Sequence, residues 1–504
     1  MTEIETGAGL QQQRGIIDRI ETLSGTRRFP GLLFSIVAVL HLPGFFLKIF
    51  DNDEAYIATV ARVMSRGGTL YVDAVDRKPP GAFLIYQALA AITGSTALWI
   101  PRVAGMTAHT MTAILVWRIA ARVAGTRAAA VAGVLSALSS AALLPADAQS
   151  ANFEVFMLPF MCAAFLFAQQ QRPTRAGIAL AASTLMKQTS GITLIPLIWI
   201  LGKKKGLRSV APMLLGFGIP MVATAWYYAP MDFWFWVFGG ANSGYLDLTG
   251  AWNHVVLRVV FMTAVVAVLN IGSVYLAVRS WPERREQVAV WIWLASAAIG
   301  VLSGTRSFGH YYWQVLPPLC VLAAVGIERS SVQRVSRVAY ASAAMAVVMT
   351  CSAFGLAIAQ GRMHYEILSE YVRDHTTPDQ RIFVWGHLPG VFWDSDRLPA
   401  SRVITTGFLT GHTSARPKEA IGAQHAIPGL WDKVMSDLTD HPPELIIDAL
   451  GGEDTPSFDY PMDRFPQMYA YLKLHYHREA VLSRSVVYRR NGHVDPARSK
   501  VHGA

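Results

Sequence analysis

Residues 177–201, GIALAASTLMKQTSGITLIPLIWIL, form an apolar stretch broken once, at Lys187-Gln188-Thr189-Ser190-Gly191. Arg172 and Arg175 precede it, and Lys203, Lys204, Lys205 and Arg208 follow. Basic clusters beside apolar segments mark the cytoplasmic side of a bilayer. With such clusters at both ends, the stretch must cross an even number of times. It therefore reads as two short halves interrupted at Lys187 and sheltered by neighbouring helices. A chain that needs this parity argument is a polytopic α-helical membrane protein.

The same rule extends outward. Arg14, Arg19, Arg27 and Arg28 precede the apolar run 29–50, and further basic breaks occur at Arg118/Arg122/Arg127, Arg279/Arg284/Arg285 and Arg329/Arg334/Arg337. All of these are expected in the cytoplasm. The run from Phe29 to Phe50 is too long for a secretion signal and lacks a small-residue cleavage site, so it reads as an uncleaved first span. Residues 81–93 are too few to cross a core that needs about 20. They read as a helix on the outer interface, and 101–117 as the next inward span. About eleven spans result, starting inside and ending outside.

Composition agrees. Of the 504 residues 52% are hydrophobic and 15% charged, against about 25% charged in a soluble domain. The deficit is local: 34 of the 144 residues from 361 onward are charged, but only 44 of the first 360. A soluble enzyme, a disordered scaffold and a nucleic-acid binder are excluded. Residues 1–28 are expected to be a cytoplasmic segment, 29–360 the transmembrane domain with 51–100 as its first outer loop, and 361–504 a soluble extracytoplasmic domain. That tail reads as small α/β: a helix near 363–375, a strand at 381–385, a helix near 430–438, a buried strand at 445–450 and a hairpin or long strand at 479–490. It carries no nucleophile motif or phosphate loop, so its expected role is accessory. Cys162, Cys320 and Cys351 lie in apolar runs and suggest neither disulfides nor a thiolate metal site.

In this topology the ionisable residues collect on the outer side. Asp51, Asp53 and Glu54 crowd the end of the first span, where unpaired charge is expensive and usually functional. Asp76-Arg77-Lys78-Pro79-Pro80 closes the same loop, with Lys78 suited to a phosphate. Asn152 and Glu154 open a later span after Asp147. Lys187 occupies the intramembrane break and needs a counterion, which a lipid phosphate can supply. Arg306 and His310-Tyr311-Tyr312 precede a span bearing Pro317-Pro318.

In order and spacing over 29–330, these motifs resemble the GT-C glycosyltransferases, in particular the group of protein O-mannosyltransferases and the aminoarabinose transferase of lipid A. The resemblance implies a GT-C-like fold in the plasma membrane. It also implies transfer of a hexose or pentose from a polyprenyl-phosphate-linked donor to a lipid, polysaccharide or protein acceptor at the outer face, usually with inversion. Asp53 matches the first-loop acid that acts as base or orients the acceptor, with Glu54 beside it. Glu154 stands where relatives usually have Asp, and Lys78 and Lys187 match donor-phosphate positions. Arg306 and His310 are expected on the same phosphate, and Asn152 and Tyr311 on the acceptor or sugar. No cofactor is required, although Asp53 and Glu154 leave room for a divalent cation. Membrane lipids are partners and nucleic acid is not. The rival class, a transporter or flippase of lipid-linked sugars, predicts polar residues through both leaflets and inverted repeats; the carboxylates here lie on one side and no repeat is present.

Overall fold

The computed structural model describes residues 15, 17–242, 252–412, 421–450, 460–482 and 484–492. Arg14 and the side chains of Lys204 and Lys205, counted above among the cytoplasmic charges, lie outside the described residues. Helices dominate, and the strands form one small sheet near the C-terminus. Two compact units emerge, each assembled from separate stretches. The first contains Met1–Phe50, Trp99–Trp226 and Leu257–Ala359; the second contains Asp51–Leu98, Tyr227–Val256 and Gln360–Ala504.

The first unit is a bundle of apolar helices. Phe153–Gln169 packs along both Trp99–Ala120 and Pro173–Met186, and Phe165 stacks on Trp293 at 4.2 Å. Close approach depends on small residues, as it does between helices in lipid: a Cβ at Gly177 would run into the backbone of Met213. Among the described residues, Leu207–Tyr227, Trp252–Leu269 and Val332–Ala359 are long and apolar enough to cross a membrane. Shorter apolar helices include Phe29–Leu40, Thr126–Ser139, Phe153–Gln169 and Val288–Ser303.

The first apolar run is not one continuous helix. Phe29–Leu40 ends at His41, and a 3-10 turn covers Leu42–Phe45. Pro43 cannot donate to a continuing helix, and every backbone group freed in an apolar setting needs a partner. Two residues distant in sequence supply them. Arg102 donates to the carbonyls of Gly44, Leu47 (2.7 Å) and Lys48 (2.8 Å). Gln149 accepts the Gly44 N–H and donates to the Leu40 carbonyl, both at 3.1 Å. The second interruption falls where the sequence indicates: Pro173–Met186 ends, Lys187 is extended (φ −152°, ψ 124°), a 3-10 turn spans Gln188–Thr193, and Leu194–Lys205 resumes the helix.

In the second unit, β1 (Ile382–Trp385) pairs in parallel with β2 (Leu445–Asp448). β3 (Tyr476–Leu482) and β4 (Ser485–Arg490) form a hairpin, and β4 pairs antiparallel with β2, giving the order β1-β2-β4-β3. Every residue of β1 and β2 is buried. That is the pattern of a parallel pair covered on both faces. The helices Asn52–Ser65 and Gly81–Thr93 belong to this unit. Arg62 joins the former to the tail, donating to the carbonyls of Phe392 (2.9 Å) and Trp393 (3.0 Å).

Replacing Arg102 by Met keeps much of the side chain's bulk but withdraws the donors that hold the bend after Leu40. Hydrogen bonds from a charged donor contribute about 1.5–3 kcal/mol each. Arg102→Met is expected to destabilise the first unit by about 3 kcal/mol or more, read as a lower thermal midpoint of the detergent-purified protein. An unchanged midpoint would show that the bend holds without it.

Candidate active site

In the first unit, Glu154 sits in the first turn of Phe153–Gln169, and Lys187 lies in the break after Pro173–Met186. The two side chains form a buried ion pair. The Lys187 ammonium also stands 3.5 Å from the centroid of the Tyr311 ring, a cation–π contact favoured where water is excluded. Desolvation makes a buried charge costly unless it is paired. The pairing therefore explains how a lysine survives inside the bundle.

A second pair lies beside it in sequence on both strands of the chain. Asp147 Oδ1 accepts from the His310 backbone N–H and lies 2.8 Å from His310 Nδ1. Gly309 makes this approach feasible, because a Cβ there would collide with the Asp147 carboxylate. The preceding loop is strained: Thr305 (φ 56°) and Ser307 (φ 44°) are non-glycine residues in left-handed backbone, a cost that persists where surrounding structure enforces it, commonly at functional sites. Between them Arg306 is 1% exposed.

The break and this loop also bury polar atoms. Ser190 Oγ, Thr193 Oγ1, Ser307 Oγ and Gln314 Oε1 make no hydrogen bond among the described residues. Such atoms cost about 1–3 kcal/mol each when left alone, and a polar ligand that satisfies them recovers that cost. Asn152 is fully buried at the N-cap position of the Glu154 helix.

In the second unit, Asp51 rather than Asp53 caps Asn52–Ser65: its Oδ1 accepts the Asp53 N–H at 2.9 Å. A capping acid must have the extended backbone that precedes the helix, and Asp51 has it (φ −136°, ψ 138°). Asp53, in the first turn, is half-buried, while Glu54 is fully buried. Asp73 is committed to the loop, accepting the Thr69 N–H at 2.7 Å. Buried Asp76 accepts the Lys78 N–H at 2.9 Å and lies 3.7 Å from its ammonium. Two tyrosines pin the loop's backbone: Tyr56 donates to the Val75 carbonyl (2.6 Å) and Tyr71 to that of Lys78 (2.8 Å). Burial, reinforced by the Asp76 charge, pushes the Tyr56 hydroxyl well above the usual tyrosine range, so it remains a donor.

The tail brings groups to Asp53 that the sequence did not suggest. His387 follows β1 after Gly386, and its Nδ1 lies 3.1 Å from Thr405 Oγ1. Desolvation holds its imidazole below the ordinary histidine range, and the Asp53 carboxylate opposes that shift. His412 packs against Tyr460 at 4.5 Å. The usable signal was position: the carboxyl ends of parallel strands are where open α/β sheets hold ligands.

Of the residues singled out from the sequence, Glu154, Lys187 and Tyr311 come together in the first unit, where His310 meets Asp147. Asp53, Glu54 and Lys78 belong to the second unit. Of the two carboxylates expected to leave room for a cation, Glu154 pairs with Lys187 through Oε1, while its Oε2 makes no hydrogen bond among the described residues.

Residues 77–228 match the family model of dolichyl-phosphate-mannose-protein mannosyltransferases. No curated protein matches the chain. Among solved structures, ArnT from Cupriavidus metallidurans bound to undecaprenyl phosphate is similar with a TM-score of 0.62 and 15% identity, over 92% of this chain and 98% of that one. The apo state of that ArnT gives 0.60 and 14%, over 91% and 97%. The Archaeoglobus fulgidus oligosaccharyltransferase tethered to an acceptor peptide gives 0.50 and 11%, over 84% and 69%. The chain thus resembles the dolichyl-phosphate-mannose-protein mannosyltransferases in sequence over residues 77–228, and over 92% of its length its fold is similar to that of ArnT.

Proposed function

We propose that this protein is a membrane glycosyltransferase that moves a hexose or pentose from a polyprenyl-phosphate donor to a lipid, polysaccharide or protein acceptor at the outer face, with inversion. The observation that carries this reading is the mannosyltransferase family match, because the matched segment 77–228 contains Lys78, Asn152, Glu154 and Lys187. The ArnT fold and that protein's bound undecaprenyl phosphate support the donor class.

In the reaction, the acceptor hydroxyl or amine attacks the anomeric carbon, the bond from that carbon to the phosphate oxygen breaks, and the electron pair leaves with the polyprenyl phosphate. Asp53 takes the acceptor proton, and a single displacement needs only one such base. Charge grows on the leaving phosphate, which cationic donors stabilise most in a dry setting. Lys78, Lys187, Arg306 and His310 are assigned to it. Glu154 holds Lys187 in place, and Asn152, Tyr311 and the buried hydroxyls nearby suit a sugar. Asp147 is added as the residue that fixes the His310 ring. About eleven spans, with the N-terminus cytoplasmic and the tail outside, complete the reading.

Three outcomes test it. Asp53→Asn keeps shape and most hydrogen bonds but removes the proton acceptor; it is expected to assemble normally, bind donor, and transfer sugar at least about a hundredfold more slowly. Asp73→Asn, whose carboxylate accepts the Thr69 N–H within the loop, should retain most activity, and near-normal turnover by Asp53→Asn would move the search for the base to Glu54 or Glu154.

Glu154→Gln removes the carboxylate from a buried ion pair and should cost about 3–5 kcal/mol in stability. Adding Lys187→Gln is expected to restore much of that stability while leaving transfer abolished. Restored transfer in the double variant would reduce the pair to a structural tie.

Single cysteines replacing Thr126 and Leu474, both exposed, are expected to react with impermeant reagents from opposite sides of the membrane. Labelling of both in intact cells would overturn the topology.

A further inference from the structure

A groove of about 500 Å³ runs between the helices Trp99–Ala120, Phe153–Gln169 and Pro173–Met186, all within the first unit. Its walls are apolar, formed by Met111, Pro159, Phe160, Ala163, Phe167 and their neighbours, and its polar lining is two guanidinium groups, Arg118 and Arg175. Both arginines are exposed. Among the described residues, neither has a carboxylate within ion-pair distance. The volume is that of a small-molecule site, yet the lining suits only an amphiphile: a hydrocarbon body with an anion at one end.

The arginine end of the groove is far from the candidate active site. Along Phe153–Gln169, Phe167 is thirteen residues from Glu154, about 20 Å at 1.5 Å per residue. Along Pro173–Met186, Arg175 is twelve residues before Lys187, about 18 Å away. An anion held by Arg118 and Arg175 therefore cannot be one held by Lys187. Both arginines belong to the basic breaks that the sequence assigns to the cytoplasmic side, where anionic lipids bind basic pockets between helices.

We propose that this groove is a binding site for an anionic phospholipid, with one acyl chain in the apolar channel and the phosphate held by Arg118 and Arg175. Arginine is suited to the task, since its planar fork meets phosphate oxygens two at a time. Ala163, Ala179 and Ala182 leave room for the chain. The inference depends on the chain being membrane-embedded and not on the transfer reaction, so its test reads binding.

The full-length protein, purified in detergent, is melted with added phosphatidylglycerol, phosphatidylcholine, inorganic phosphate or undecaprenyl phosphate. Phosphatidylglycerol is expected to raise the midpoint at concentrations where phosphatidylcholine and inorganic phosphate do not. In the Arg118→Gln/Arg175→Gln variant, whose lipid-free midpoint should be unchanged because both side chains are exposed, the apparent affinity should fall about tenfold or more. Ala163→Phe, which narrows the channel, should weaken the same effect. Equal stabilisation by phosphatidylcholine would overturn the role of the arginines, and an equal shift with inorganic phosphate would overturn the acyl-chain channel. Retention of the phosphatidylglycerol shift in the double arginine variant overturns the site. Preferential, arginine-dependent stabilisation by undecaprenyl phosphate would replace the phospholipid by a polyprenyl lipid.

Discussion

The buried ion pair between Glu154 and Lys187 is the interaction on which the first unit turns. A helix cannot be interrupted inside an apolar bundle unless its released backbone and any exposed charge are both satisfied. Glu154 meets the charge requirement from the start of the adjoining helix, and the Tyr311 face closes the ammonium from another direction. The break at Lys187 then leaves buried hydroxyls, those of Ser190 and Thr193, with no hydrogen bond among the described residues. The same pair that makes the defect tolerable holds a cation at a fixed place, which is what a leaving phosphate requires.

The bend after Leu40 solves a related problem by different means. There the freed backbone groups are met by side chains from elsewhere in the unit, Arg102 and Gln149. In one interruption a carboxylate neutralises a cation, and in the other a cation is dissolved among carbonyl oxygens. Both use polar residues that hydropathy alone would count against a membrane span.

These contrasts explain which features were legible in the sequence. The break at Lys187 could be read because basic clusters on both sides left no other parity. The short helix Gly81–Thr93, the two buried strands and the alternating C-terminal segment followed from length, apolar runs and alternation, all local properties; the parallel pairing and the hairpin came only with the fold. The end of the first helix could not be read, since Pro43 fixes only where it is permitted to end, and the residues that stabilise the ending are Arg102 and Gln149. The cap at Asp51 was missed because three acids within four residues are equivalent until backbone angles distinguish them. Asp147 was noticed but not paired with His310, 163 residues away. The tail was read as accessory because a histidine after a strand is not a motif; only the fold brings His387 under the influence of Asp53.

The second unit's construction from three distant stretches has a consequence for the order of events during synthesis. Arg62 docks on carbonyls of Phe392 and Trp393, and the sheet is completed only when β4 arrives at Arg490. Chains emerge at about 5–20 residues per second, so the first loop waits roughly 20 to 80 s for its partners. Through that interval its acids and its apolar helix face have no finished surface to fold against. The loop that carries the proposed base is thus made early, and the residues it packs on in its own unit are made hundreds of residues later.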